Sequence, residues 1–544
     1  MLKKRILIVA IVVVVLLGAG WFLFDSNYVL LNFQVVDRDA LEVTLTGDEL
    51  PGDYWLKKLN NPQVLDVKQI PITPQEHDKL KGMFPNVQLR YTMVVGTGNV
   101  DMDATELALY ASDVGALPQL LPCLPKVERV VVDGFVADWA LMKGLQEQYD
   151  AVTFDFEMEV CGVNVRSTAD VLDLSKVQVD TAELDQKLEC FPSLKRLLVA
   201  GCEDYPWLLT QKQERPALDI FYTLTVAGVE TDTQATELSL ENVTIAMLEE
   251  ALPHLGSLQT LKLAGVLPAD EEIYKLSIRY PQVAFLWDIT VCGVAANTGD
   301  STLILNNIWM SNTDEVREKV RYFRNLERVE MCYCGISSAL MENLTIEFPE
   351  TRFVWAVRIG AGYLRTDTTA FIPFKLGYGI DNPLVDSQMK ELKYCVDLIC
   401  LDLGHMRMTD ISFLEYMPKM QYLILGDTPV QDFTPIKGLT EMIYLEIFNT
   451  RFADHSLLLG MTKLEDLNIG FTPAYDVETL KQLTWLKRLW LPAVPVSVAK
   501  YYELVEALPN TQVVKYVSHS TDGNWRDNDN YRAMRDLLGM FYMK

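Results

Sequence analysis

Between Leu398 and Leu491 the apolar positions fall on a fixed ruler. Leu401, Leu423, Leu445, Leu467 and Leu489 stand 22 residues apart. A second apolar series follows two positions later (Leu403, Leu425, Ile447, Ile469, Leu491), and a third precedes by three (Leu398, Met420, Met442, Leu464, Leu486). An L-x-x-L-x-L core repeated in this way predicts stacked, short parallel strands whose apolar side chains point inward. The polar stretch between them must then form the opposite, convex side of a solenoid.

A longer rhythm precedes it. Gly96, Gly162, Gly228, Gly293 and Gly360 recur at spacings of 66, 66, 65 and 67 residues, each closing a strand of strict alternation such as Phe285-x-Trp287-x-Ile289-x-Val291. Period-two apolarity is a strand signal. Two further repeat turns fit inside each unit, for example Leu172-x-Leu174 and Leu197-x-Val199, with helices between them that stop at Pro281 and Pro349. The long alternating strand has two readings: a compressed solenoid turn, or a local hairpin through a polar run such as residues 295–300. The first unit, residues 41–96, is expected to lack its first turn and to serve as a truncated cap. Residues 361–397, where the period lapses, read as a joint between two arrays. Residues 492–544 hold a helix near 499–508, a strand near 511–516 and a polar, aromatic tail; they are expected to cap the last open repeat face, which would otherwise leave a sheet edge in water.

At residues 398–491 the chain resembles the bacterial internalin-like class of leucine-rich repeats. The resemblance rests on the 22-residue period and on an Asp-led segment between strands: Asp410-Ile-Ser-Phe-Leu, Asp432-Phe-Thr-Pro-Ile, Asp454-His-Ser-Leu-Leu and Asp476-Val-Glu-Thr-Leu. Thr428, Thr450 and Thr472 take the place usually held by Asn. The resemblance implies an α/β leucine-rich repeat solenoid, with a curved, concave parallel sheet and helical or 3-10 segments on the convex side. It also implies surface exposure and protein or glycan binding. The chain departs from that class in lacking a C-terminal sorting motif.

The N-terminus bears on location. Lys3, Lys4 and Arg5 precede an unbroken apolar run from Ile6 to Phe24. As a helix this run would span about 28 Å, close to the ~30 Å hydrocarbon core of a bilayer. Residues 1–24 are therefore expected to be a single-pass signal anchor, contacting lipid through residues 6–24, with a tether at 25–40 and the bulk of the chain outside the cell; a cleaved signal peptide is the rival reading. The net charge of −26 argues against nucleic acid as a partner. Nine cysteines sit at periodic sites. Matched pairs such as Cys202 and Cys334 lie too many strand spacings apart to bridge and read as small buried hydrophobes, whereas Cys395 with Cys400 stays open.

The residues between the inward leucines face the concave side. Tyr422, Tyr444, Phe448, Phe471 and Trp490 give that face an aromatic centre, and Asp402, Asp427, Glu446, Asp466 and Arg488 a charged surround. Exposed aromatics with a polar rim are a typical binding patch; packing under the tail is the competing reading. The Asp ladder at 410, 432, 454 and 476 offers one carboxylate per turn, which suits helix capping better than a cation cage. Five scattered histidines form no catalytic motif, and His405 with Asp427 reads as a polar surface contact. No cofactor, metal or catalytic set is expected. The expected function is a membrane-anchored bacterial surface protein that binds a protein or glycan. The alternative is a scaffold or spacer in an envelope complex, favoured if the tail fills the concave face.

Overall fold

The computed structural model describes residues 27–473 and 475–540. They form two compact units, divided in sequence between Thr260 and Leu261. Among the described residues no helix is long and apolar enough to cross a membrane. The anchor expected at residues 6–24 lies outside them.

In the first unit, three-stranded parallel sheets alternate with hairpins. Glu42–Thr44, Val64–Asp66 and Gln88–Arg90 pair in register, as do Val171–Asp173, Arg196–Leu198 and Asp219–Phe221. The long alternating strands resolve into the hairpin reading. The first part of each continues the parallel sheet, and the second part folds back antiparallel on the next few residues. Thr223–Val226 pairs with Val229–Asp232, and Thr92–Val95 with Gly98–Asp101. The recurring glycine is the reason. Ala227 and Gly228 form a two-residue turn with φ of +51° and +83°, as do Cys161 and Gly162 at +48° and +80°. Positive φ at both central residues suits the right-handed twist of a hairpin, and glycine adopts it without a Cβ clash. A buried hydroxyl fastens the returning strand. Ser167 Oγ accepts from the Phe156 amide at 3.1 Å and donates to the Phe154 carbonyl at 2.7 Å.

Two expectations for the N-terminal part need correction. Residues expected as a tether contain a hairpin, Tyr28–Leu31 against Gln34–Asp37. The first turn of the 41–96 unit is present in shortened form, as the strand Glu42–Thr44 and the four-residue helix Asp53–Leu56. Its helical segment carries too few apolar residues to register as a period.

The second unit repeats the same pattern once more (Thr302–Ile304, Arg328–Glu330, Arg352–Val354, then the hairpin Ala356–Ile359 with Gly362–Arg365). It ends in a seven-stranded parallel sheet: Ala370–Phe371, Cys400–Asp402, Tyr422–Ile424, Tyr444–Glu446, Asp466–Asn468, Arg488–Trp490 and Gln512–Val514. The expected joint at 361–397 therefore contains a hairpin strand and the first strand of this sheet. Leu401, Leu423, Leu445, Leu467 and Leu489 pair with one another across the strands and are fully buried. On the convex side short 3-10 turns follow Asp410, Asp432 and Asp454, and a single α-helical turn follows Asp476. Asp410, Asp432 and Asp454 accept from the amides of Ser412, Thr434 and Ser456, and Asp476 from that of Thr479. The nine cysteines are all free thiols, Cys395 and Cys400 included, and seven of them are buried.

One feature of this sheet was not expected. The residue that turns the chain away after each strand is left-handed: His405, Asp427, Asn449, Phe471 and Ala493 have φ between +51° and +65°. The amides of the first four donate to the carbonyls of Gly426, Phe448, Gly470 and Pro492, making a second ladder beside the strands. Asn and Asp tolerate this conformation; Phe does not, at a cost of roughly 1–2 kcal/mol. Phe471 is also 38% exposed, so it recovers little by packing. Phe471→Asn is therefore expected to stabilise the protein by about 0.5–1 kcal/mol, read as a higher denaturant midpoint with unchanged slope. A lower midpoint would mean that the Phe471 ring packs more firmly than its exposure implies.

Candidate partner-binding face

The outward positions of the seven-stranded sheet form two columns. Cys400, Tyr422, Tyr444, Asp466 and Arg488 make the first; Asp402, Ile424, Glu446, Asn468 and Trp490 make the second. Sequence alternation alone sends these side chains away from the leucines. They are not open to water. The tail does not cap the last repeat as expected. It turns back after Gln512–Val514 and crosses the columns from the last strands toward the first, ending in the helix Asp529–Leu537. Asn528 caps that helix by accepting from the Tyr531 amide at 2.8 Å. Its Tyr531, Met534 and Leu538 share one face, and Met534 and Leu538 join Cys400, Tyr422, Ile424, Tyr444, Trp490 and Trp525 in one apolar cluster.

Trp525 is the centre of the contact and is fully buried. Its ring stacks on Tyr444 at 5.3 Å and leans on Trp490 at 5.2 Å. The Arg488 guanidinium sits 4.5 Å from the ring centre on cation–π terms. Beneath it lies Glu446, whose side chain has no exposure. The carboxylate accepts from Trp525 Nε1 at 2.7 Å, from Arg526 Nε at 3.0 Å and Nη2 at 2.6 Å, and from the Tyr444 hydroxyl. A bidentate guanidinium–carboxylate pair is among the strongest and most directional protein contacts. Burial pulls the Arg526 pKa down, but the charge of Glu446 and its hydrogen bonds outweigh it and hold the guanidinium firmly protonated. Burial pushes the Tyr444 phenol far up, and the Glu446 charge adds to it.

The rest of the seat is polar and equally specific. Asn530 Nδ2 donates to Asp466 and to Glu465, each at 2.8 Å. Asp466 lies 2.9 Å from Arg488 Nε. Asn468 donates to the Ser520 carbonyl at 2.8 Å, and Trp490 Nε1 to that of Asp522 at 2.9 Å. Of the ten candidate residues, Tyr422, Tyr444, Glu446, Asp466 and Trp490 are thus buried and Arg488 is engaged by the tail. Phe448 is buried with its ring over Gly426, where a Cβ would stand 2.5 Å from it. Asp427 and Phe471 belong to the turn ladder instead. Asp427 takes His405 Nδ1 at 2.8 Å and Asn449 Nδ2 at 2.6 Å, with both His405 and Asp427 nearly half exposed. The expected open aromatic patch is therefore closed in this structure, because the chain's own tail supplies the apolar and cationic partners that the columns need.

Asp402 marks the rim, in a cleft of about 170 Å³ shared with His405, Tyr378 and Arg526. Burial pushes its pKa up to about 6; the Gly404 amide opposes this and the Glu446 charge adds to it. The native state then holds a proton more tightly than the unfolded chain, whose Asp titrates near 4. That contribution to stability is present in full below pH ~4 and is lost as pH rises through about 6. Asp402→Asn is expected to flatten the fall in melting temperature between about pH 4 and pH 6. A fall of the same size in the variant would assign it to another group.

Comparison with known proteins adds little. No family model matches the chain, and no curated protein matches it. Among solved structures, internalin C2 of Listeria monocytogenes is 19% identical over 42% of this chain and 76% of its own, with a TM-score of 0.23. A second Listeria monocytogenes internalin is 17% identical over 53% and 83%, at 0.24. A leucine-rich repeat protein of Leptospira interrogans is 15% identical over 88% and 96%, also at 0.24. At such values the leucine-rich repeat fold of this chain stands on its own strand register and periodic core.

Proposed function

We propose that this chain is a protein-binding leucine-rich repeat protein whose C-terminal concave face recognises a segment carrying a Trp-Arg pair just ahead of a short helix, supplied in the resting protein by its own tail. The observation that carries this is the Glu446 seat. A surface meant only to be covered needs apolar contact alone, whereas this one reads the tail with a buried carboxylate, a bidentate arginine and an aromatic sandwich. Buried ion pairs cost desolvation relative to apolar packing and are best attested where they set register or choice of partner. The apolar run at residues 6–24 with its basic flank supports an anchored, extracytoplasmic setting, and the acidic charge supports a partner other than nucleic acid.

The test removes residues 518–544 and offers the same segment back as a free peptide. Saturable binding that disappears with Glu446→Ala is expected. A folded, truncated protein that ignores the peptide would overturn the reading. The second reading, a scaffold whose tail is a permanent cover, is favoured by the complete closure of Tyr444 and Trp490. Hydrogen exchange separates the two. A tail helix that exchanges only with global unfolding supports the scaffold, and one that opens well below the global free energy supports exchangeable binding.

A further inference from the structure

Where the first repeat unit meets the second lies a cluster unlike its counterparts. His77 Nδ1, Asp78 Oδ1 and Cys123 Sγ lie within 4.8 Å of one another, with Nδ1 3.1 Å from the carboxylate and 3.4 Å from the sulfur. His77 and Asp78 come from the helix Pro74–Met83, Cys123 from the end of the short turn Leu121–Cys123. Tyr91 backs the site, its ring 4.9 Å from the His77 ring and its hydroxyl donating to the Cys123 carbonyl.

The repeat supplies its own control. His77 is the fourth residue after its helix N-cap, Thr73. The same position after the N-caps Asp138, Asp204, Ala269 and Ser337 is Met142, Leu208, Ile273 and Met341, each fully buried. Four units spend this position on core packing, and the first places an imidazole there. Cys123 has a counterpart in Cys190, at the end of the turn Leu188–Cys190, but the helix of the unit before it carries Met142 in place of the histidine. Cysteine here is thus a packing residue by default, and the histidine is what changes its chemistry.

We propose that His77, Asp78 and Cys123 form a Zn2+ site with one position left for water. Zinc takes nitrogen at about 2.0–2.1 Å, carboxylate oxygen at about 2.0–2.2 Å and thiolate at about 2.3 Å in a tetrahedron. The tetrahedron's edges are then roughly 3.4 Å for N to O and roughly 3.6 Å for N to S, within a few tenths of an ångström of the separations here. The ligand set excludes the neighbouring choices. A thiolate is too soft for Mg2+ or Ca2+, and a carboxylate too hard for Cu+. One thiolate, one carboxylate and a neutral imidazole balance the two charges of the ion. In the metal-free chain the thiol proton points to the Gln119 carbonyl at 3.4 Å and the imidazole N–H to Asp78. Binding releases the thiol proton to solvent, and the imidazole proton moves from Nδ1 to Nε2.

The test titrates Co2+, then Zn2+, into the full-length chain in detergent with its thiols reduced. The expected result is a thiolate-to-cobalt charge-transfer band that saturates at a single ion per chain and is erased by zinc. His77→Leu copies the residue of a sister unit and should fold without loss. It and Cys123→Ser are each expected to weaken zinc binding about 100-fold or more, beyond the ~10–100-fold typical of losing an outer-shell partner. Absence of the band in the wild-type chain would overturn the site, as would an equal affinity in His77→Leu or Cys123→Ser.

Discussion

Arg526→Ala is expected to release the tail from the concave face while leaving the repeat array folded. Glu446 has no exposure, and Arg526 supplies two of its four hydrogen bonds. Removing the cation strands a buried carboxylate, which costs about 3–5 kcal/mol for a fully enclosed pair. Arg526 keeps 37% of its side chain in water, which screens the interaction, so about 2–3 kcal/mol is the expected loss. The protein can escape that penalty by undocking the tail, which rehydrates Glu446 at the expense of the Trp525 contacts. Hydrogen exchange across residues 519–538 should rise by roughly two orders of magnitude, with the strands from Cys400 to Trp490 protected as before. Replacing both charges with methionine should restore much of the protection, because the apolar pair removes the desolvation cost. Unchanged exchange in Arg526→Ala would show that the aromatic contacts alone hold the tail.

Leu445→Asp attacks the other side of the same strand. Leu445 is fully buried between Leu423 and Leu467. The substitution forfeits roughly 1.5–3 kcal/mol of apolar burial and adds the cost of an unpaired charge in a site with no donor to meet it. Loss of the whole seven-stranded sheet is expected, seen as a melting transition displaced by well over ten degrees or absent. A variant that melts like the wild type would mean that the inward column is misassigned. The two substituted residues, Leu445 and Arg526, lie one and 80 residues from Glu446 in sequence, yet one substitution should dismantle the sheet and the other only uncover it.

The contrast marks what could be read from the chain beforehand. Leu445 announced itself because its environment recurs every 22 residues, and a periodic core leaves a periodic trace. Seven of the ten concave candidates were equally legible as surface columns, since alternation fixes which side of a strand they leave from; Asp427, Phe448 and Phe471 lie beyond the strand ends, where alternation no longer applies. Their burial was not legible, because it depends on Trp525 and Arg526, about 80 residues on and outside any period. The helix Asp529–Leu537 went unread as well, within what the sequence showed only as a polar, aromatic tail. The hairpins were undecidable for a different reason: parallel and antiparallel strands alternate alike, and only the two adjacent left-handed residues at Ala227–Gly228 distinguish them. His77 passed as one of five scattered histidines. Setting the helices of successive units side by side, rather than searching for motifs, exposes it as the exception to a column of buried aliphatics.

The tail has a quantitative consequence for anything else that uses this face. A segment joined to the sheet through a few residues presents itself at an effective concentration on the order of millimolar, undiminished by dilution. An outside ligand is therefore judged against a resident competitor, and its apparent affinity falls by the fraction of time the face stands empty. If docking is worth about 4 kcal/mol, that fraction is on the order of one in a thousand, and a nanomolar ligand behaves as a micromolar one. The arrangement acts as a threshold. Abundant weak sequences are ignored, and a ligand registers only if it reads Glu446 and the aromatic columns better than the protein reads itself.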